Sequence, residues 1–178
     1  EGEAVVWRGP MLHKTMAQFL GGVVWEDLDY LLCDLPPGTG DVQLSLCQTV
    51  PLTGAVIVST PQDVALKVAQ KAIAMFNKLN SPILGIIENM SHYVCPHCGK
   101  RDDIFGAGGA RIAAERFGIP FLGEIPLATT VRLTSDDGRP IVIAEPDHPI
   151  AKAFLEVAKR LTEEVKARGA SHDIKISF

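Results

Sequence analysis

Two cysteines separated by two residues form the clearest chemical motif of the sequence, Cys95-Pro96-His97-Cys98. Two thiolates at this spacing on a turn can bind one metal ion together, and Gly99 frees the backbone N–H groups of that turn to point at sulfur. Structural zinc and iron–sulfur sites use four protein ligands. Cys33 and Cys47, the other two cysteines, lie in apolar runs typical of a core. We therefore expect a twofold dimer to bring two copies of the motif together, giving an S₄ site suited to zinc or a [4Fe–4S] cluster.

Two other interpretations of the cysteine pair remain open. The pair could be a zinc bridge in a non-enzymatic dimerisation module. It could also be a thiol–disulfide oxidoreductase motif, which requires the cysteines to follow a strand and open a helix that lowers the thiol pKa. A polar segment, Gly99–Asp103, follows Cys98 instead, and His97 is not expected to be a ligand.

A second motif runs from Asp34 to Asp41, with the sequence Asp-Leu-Pro-Pro-Gly-Thr-Gly-Asp. The preceding apolar residues, from Tyr30 onward, are predicted to form a buried strand that ends in the Asp34 carboxylate. Such a carboxylate is costly unless it meets a cation or hydrogen-bond donors, and a Walker-B acid near Mg²⁺ is one solution. The glycines of the loop allow backbone N–H groups to approach a phosphate closely. The alternative is a rigid loop in which Asp34 caps a neighbouring segment.

Short apolar strands alternate with helices in the rest of the sequence, which favours a parallel sheet covered on both faces. The strands are predicted at residues 30–34, 55–59, 83–88 and 121–125, and the helices at 41–50, from Thr60-Pro61 to about Leu79, 109–117 and 149–168. A long loop, residues 89–106, carries the cysteine pair. Spacing places Val64, Val68, Ala72, Phe76 and Leu79 on the inner face of the second helix, and Ile150, Phe154, Ala158, Leu161 and Val165 on that of the last.

Composition excludes several classes of protein. The net charge of −4 makes a nucleic-acid footprint unexpected. No apolar run approaches the roughly 18–20 residues that a membrane span needs. Four cysteines in 178 residues do not form a disulfide scaffold, and a reducing cytoplasm suits them better.

Several motifs in order resemble the Mrp/Nbp35 group of P-loop NTPases, the ATP-dependent iron–sulfur cluster carriers of the MinD/ParA-like class. The matching segments are Trp7–Met11, Asp34–Asp41, Ser59–Gln62, Gly85–Ser91, the cysteine pair, Ile104–Gly106 and Leu122–Leu127. The resemblance implies a three-layer α/β/α fold with a mostly parallel sheet. It also implies a homodimer in which Cys95 and Cys98 of both protomers hold a bridging [4Fe–4S] cluster, for which zinc could substitute. Such a cluster would be passed to apo iron–sulfur proteins.

The same resemblance assigns a nucleotide site. Asp34 corresponds to the acid beside Mg²⁺, and Gly38, with Thr39, to the loop that senses the γ-phosphate of ATP. Asn89 corresponds to the residue that hydrogen-bonds the adenine base, and Pro126 to the start of the segment that lines it.

One family motif is missing, because no residues match the phosphate-binding pattern Gly-x-x-x-x-Gly-Lys-Ser/Thr. We therefore expect residues 1–169 to be the C-terminal portion of a single P-loop NTPase-like domain, truncated at its N-terminus and followed by a tail, residues 170–178. ATP hydrolysis is expected of the full-length parent. A partitioning-type ATPase positioned on a membrane or DNA is a further alternative, although such proteins lack the cysteine pair.

Overall fold

The computed structural model describes residues 9–36 and 40–169. They form two compact units, one within residues 9–52 and one within residues 53–169, and each is described by itself. None of the helices in these ranges is both long and apolar enough to cross a bilayer.

The first unit consists of two helices, α1 (Gly9–Gly21) and α2 (Asp41–Thr49), which pack against each other. Leu20 and Leu46 are its buried apolar side chains. The buried strand predicted over Tyr30–Asp34 is wrong, because this segment has no regular secondary structure and its side chains are exposed, with Leu32 at 81%. A strand requires a hydrogen-bonded neighbour, and no strand of the described residues pairs with this segment.

The second unit is built on a four-stranded sheet: β1 (Ala55–Ser59), β2 (Ile83–Val94), β3 (Arg101–Asp102) and β4 (Phe121–Leu127). The long strand β2 pairs in parallel with both β1 and β4, while the two-residue β3 returns antiparallel against its end. The predicted mostly parallel sheet is confirmed. The strand predicted at 83–88 is extended by six residues, because Tyr93 and Val94 find partners in β3.

Five helices cover this sheet: α3 (Asp63–Lys78), α4 (Gly109–Phe117), α5 (Thr129–Asp136), α6 (Ile141–Ala144) and α7 (Pro149–Ala167). Ile87 packs into the apolar cluster that α7 forms with β4, whereas the next side chain, Glu88, points to α4. Successive residues of a strand face opposite sides, so α4 and α7 lie on opposite faces. The predicted three-layer arrangement is therefore present.

The inner faces of two helices match the prediction in part, because Phe76 of α3 and Ile150 of α7 are buried as predicted. In α3 the buried side chains include Leu66, Ala69 and Ile73, while Val64 is 75% exposed. The helix also begins at Asp63, because the Thr60 hydroxyl bonds the Gln62 side chain instead of capping the helix. In α7 the buried residues are Ile150, Ala151 and Val157, whereas Phe154 and Ala158 lie on the exposed side.

Glycines allow neighbouring strands and layers to approach closely. A Cβ at Gly54 would lie 2.6 Å from Leu84 Cγ, and one at Gly85 would lie 2.6 Å from Leu122 Cγ. At Gly123 the neighbour is Val157 Cγ2 of α7, at 2.8 Å. Each of these positions leaves no room for a side chain, so a leucine or valine of a neighbouring element fills the space.

Candidate functional site

The cysteine pair lies in the tight turn that joins β2 to β3. Cys95 follows directly after β2, its N–H donates to the Lys100 carbonyl at 3.0 Å, and its carbonyl accepts from Gly99 N–H at 2.8 Å. Gly99 has φ 69°, a left-handed conformation that favours glycine. The turn leaves Cys95 half-buried and Cys98 exposed, both as free thiols. It is therefore a β-hairpin tip that presents two cysteines outward.

Backbone hydrogen bonds favour the thiolate of Cys95. The N–H groups of Cys98 and then His97 donate to the Cys95 sulfur and lower the pKa of its thiol below the ordinary value, with a smaller contribution from the Cys98 side chain. The thiolate is the form that binds metals. The Gly99 N–H itself donates to the Cys95 carbonyl and not to the sulfur.

The hairpin supplies only part of a metal site. Across residues 9–36 and 40–169, no three His, Cys, Asp or Glu side chains come together in a group that could hold a metal ion. Cys47 lies in α2, in the other unit. A four-ligand site at this tip therefore requires ligands from outside the described residues of one chain.

The structure reveals a buried carboxylate, Glu88, that sequence analysis did not single out. Its side chain is 1% exposed and accepts two backbone hydrogen bonds, from Gly108 N–H at 3.1 Å and from Ala110 N–H at 2.7 Å. These donors belong to the first turn of α4, which carries a partial positive charge. The signal was available, because an acid inside an apolar strand needs donors, and Gly106, Gly108 and Gly109 follow it in the sequence.

Asn89 and Pro126 lie close together in the sheet, since Asn89 pairs with Ile125 of β4. The Asn89 side-chain oxygen accepts from Met90 N–H at 3.0 Å, and Met90 has φ 54°, a left-handed conformation uncommon for a residue with a side chain. The pairing of β2 with β4 shifts at this point. Pro126 also borders a groove of about 340 Å³ beside β4, which Asn89 does not line.

Charged side chains surround the groove beside β4. Its lining includes His92, Arg111, Glu124, Glu156 and Arg160. Arg111 lies over the Phe121 ring at 4.2 Å, and Arg160 pairs with Glu156 at 3.0 Å. Charges of both signs line the groove and partly compensate each other, so its lining selects neither anions nor cations.

Three other residues predicted for a nucleotide site, Asp34, Gly38 and Thr39, come earlier in the sequence. Asp34 is exposed, whereas Gly38 and Thr39 lie outside the described residues. Gln43 of α2 is 3% exposed and donates through Nε2 to the Pro36 carbonyl at 2.6 Å. Its buried Oε1 has no hydrogen-bond partner within the described ranges. The Gln43 side chain therefore holds the segment that follows Asp34 at Pro36. Its own amide oxygen has no donor among the described residues.

Comparison with known proteins identifies the family. Residues 1–162 match the model of the ParA family described as NUBPL iron-transfer P-loop NTPase. The chain belongs to this family. The iron–sulfur cluster carrier of Deinococcus radiodurans is 54% identical over 170 residues, 96% of this chain and 48% of its own length. The iron–sulfur cluster transfer protein NUBPL of Dictyostelium discoideum is 48% identical over 93% of this chain and 51% of its own length.

Two solved structures share the fold. The nucleotide-binding protein of Archaeoglobus fulgidus, solved in complex with ADP, is 43% identical, with a TM-score of 0.69 over 81% of this chain and 58% of that one. The septum site-determining protein MinD of Pyrococcus horikoshii is 21% identical, with a TM-score of 0.66 over 94% and 65%. These similarities confirm the P-loop NTPase fold class. The chain spans about half the length of the curated relatives it matches.

Proposed function

We propose that this protein carries iron–sulfur clusters on the hairpin tip, with Cys95 and Cys98 of two protomers holding one [4Fe–4S] cluster between them. The observation that carries the proposal is the pair of free thiols at the hairpin tip, with Cys98 exposed and Cys95 half-buried. Each protomer supplies half of the ligands, so the cluster is the cargo and is released when the two halves separate. Apo iron–sulfur proteins are the recipients.

Nucleotide binding belongs to the same proposal, for the full-length protein. Asp34 would stand beside Mg²⁺, whose preferred ligands are oxygens, and Gly38 with Thr39 would face the γ-phosphate. Bound Mg²⁺ supplies charge neutralisation at the phosphates. Asn89 and Pro126, neighbours across β2 and β4, would contact the adenine.

A zinc-bridged dimer is the second candidate, because the same four thiolates suit zinc as well as a cluster. A thiol–disulfide oxidoreductase has less support. That chemistry uses a cysteine at a helix N-terminus, whereas Cys95 is followed by a turn and then by β3. We place the protein in the cytoplasm, where free thiols such as those of Cys33, Cys47 and the tip persist.

The test is anaerobic reconstitution followed by iron, sulfide and zinc analysis with the oligomeric state measured by light scattering. We expect about four iron and four sulfide per dimer, lost in Cys95→Ser and in Cys98→Ser. Cys47→Ser is the matched control and should retain the cluster. One zinc per dimer would favour the dimerisation module, and a monomer with a Cys95–Cys98 disulfide would favour redox chemistry.

A further inference from the structure

The two cysteines stand on a segment, residues 89–107, that runs from Glu88 through the second half of β2, the hairpin tip and β3 to α4; we name it the Cys arm. Its outgoing side is the second half of β2, which is held by β4 through the pairing of Tyr93 with Leu127. Its returning side contains Cys98 and the short β3. The two sides are joined by the pairs Tyr93–Asp102 and Val94–Arg101.

The returning side has few attachments of its own. Arg101 and Asp103 form an exposed ion pair at 2.8 Å, and Gly106 N–H donates to the Asp103 carbonyl at 2.9 Å. Both contacts lie within the arm and so cannot fix it to the sheet. Exposed ion pairs also contribute little to stability. Apart from its pairs with the end of β2, the returning side is therefore held where it rejoins the fold.

That junction is made by the Glu88 carboxylate. Its two oxygens accept separately from Gly108 N–H and Ala110 N–H, the first backbone groups after the arm. Glu88 is also the residue directly before the arm, so one side chain ties the two ends of the arm together. The bonds are buried and charge-assisted, which makes them stronger than neutral hydrogen bonds.

We propose that Glu88 is the positioning residue of the Cys arm: by closing its base, it holds the hairpin that carries Cys95 and Cys98 in place for cluster binding. This rests on the proposed function. Cys98 lies ten residues before Gly108, where the returning side is tied to Glu88, and metal–ligand distances hold within about 0.2 Å. Small displacements at Glu88 therefore matter at the cluster.

The test compares Glu88→Gln with Ile73→Val, a conservative truncation of a buried α3 side chain that leaves the arm untouched. Glutamine keeps the shape of the side chain but retains only one acceptor oxygen. We expect reconstituted Glu88→Gln to lose iron to a chelator about tenfold faster than wild type, at a temperature where both remain folded. Ile73→Val should match wild type. Equal rates of loss in Glu88→Gln and wild type would overturn the proposal.

Amide hydrogen exchange on the metal-free chain supplies a second readout. We expect exchange in residues 98–108 to accelerate about tenfold in Glu88→Gln and to stay unchanged in Ile73→Val. Unchanged exchange in Glu88→Gln would refute the positioning role whatever the metal result. If Glu88→Gln does not fold, Glu88→Asp, which retains the charge on a shorter side chain, replaces it in both assays. Wild-type protein that takes up no iron would refute the proposed function alone, because exchange still tests the arm.

Discussion

Substitution of Gly109 by alanine tests the contact that holds α4 in place beside Glu88. Gly109 is the first residue of α4, where an alanine without steric conflict would stabilise the fold by about 0.4–1 kcal/mol. Here its Cβ would lie 2.7 Å from the Pro61 carbonyl oxygen and 2.5 Å from Leu66 Cδ1. The leucine can rotate, but the carbonyl is backbone, so the first turn of α4 must shift.

Two costs follow from that shift. Overpacking of this kind costs about 1–3 kcal/mol. The displaced turn also lengthens the bond from Ala110 N–H to Glu88, now 2.7 Å, and a hydrogen bond to a charged group is worth about 1.5–3 kcal/mol. After subtracting the intrinsic gain of alanine, we expect a loss of about 2–4 kcal/mol. For a chain of this size the melting temperature should fall by about 5–15 °C.

Urea unfolding combined with amide exchange at Ala110 measures this change. Gly138→Ala is the control, because Gly138 has φ 68° and nothing within 4 Å of an added Cβ. That variant should bear only the cost of a left-handed alanine, about 1–2 kcal/mol, and leave the Ala110 amide protected. If Gly109→Ala were as stable as wild type, the packing of α4 on Pro61 and the geometry at Glu88 would both be wrong.

Two further predictions concern the tip and the face of α3. Because backbone N–H groups lower the pKa of the Cys95 thiol, iodoacetamide should alkylate Cys95 at lower pH than an unstructured cysteine peptide, as followed by mass spectrometry. Cys98→Ser retains the backbone donor that is the largest cause, so most of this shift should persist, and its complete loss would contradict the assignment. In α3, Val64→Thr should change the free energy of unfolding by less than about 0.5 kcal/mol, whereas Leu66→Ala should cost about 2–5 kcal/mol. If the two substitutions changed the free energy of unfolding equally in urea titrations, the assignment of Leu66 to the buried face and Val64 to the exposed face would be wrong.

Sequence patterns located most of the second unit because its signals are local. The strand at Ala55–Ser59 and the helix at Gly109–Phe117 have the predicted bounds, and Gly118 ends that helix in a left-handed conformation as expected. Apolar runs and a glycine stop encode these elements directly. The cysteine pair was also visible in the sequence, since its spacing alone indicates a shared ligand.

The features that sequence patterns missed depend on partners distant in the chain. The extension of β2 to Val94 requires β3, and the role of Glu88 requires backbone groups about twenty residues later. The apolar Tyr30–Asp34 run predicts a strand, but it has no pairing strand within the described residues. In α3, Val64 and Leu66 are two positions apart and therefore lie on different faces of the helix. Packing against the sheet determines that the face with Leu66 is buried.

The close contacts at Gly54 and Gly85 also affect how the strands of the sheet align with each other. Pro82 and Pro120, two residues before Leu84 and Leu122, each accept a hydrogen bond from the preceding strand, from Ala55 and Ile86 respectively. The same sequence motif, proline–any residue–leucine–glycine, therefore occurs at the beginning of both β2 and β4. A strand that slipped by one residue would bring its leucine against a neighbour that carries a Cβ, and no space would receive it. Each parallel pairing therefore admits one alignment during folding.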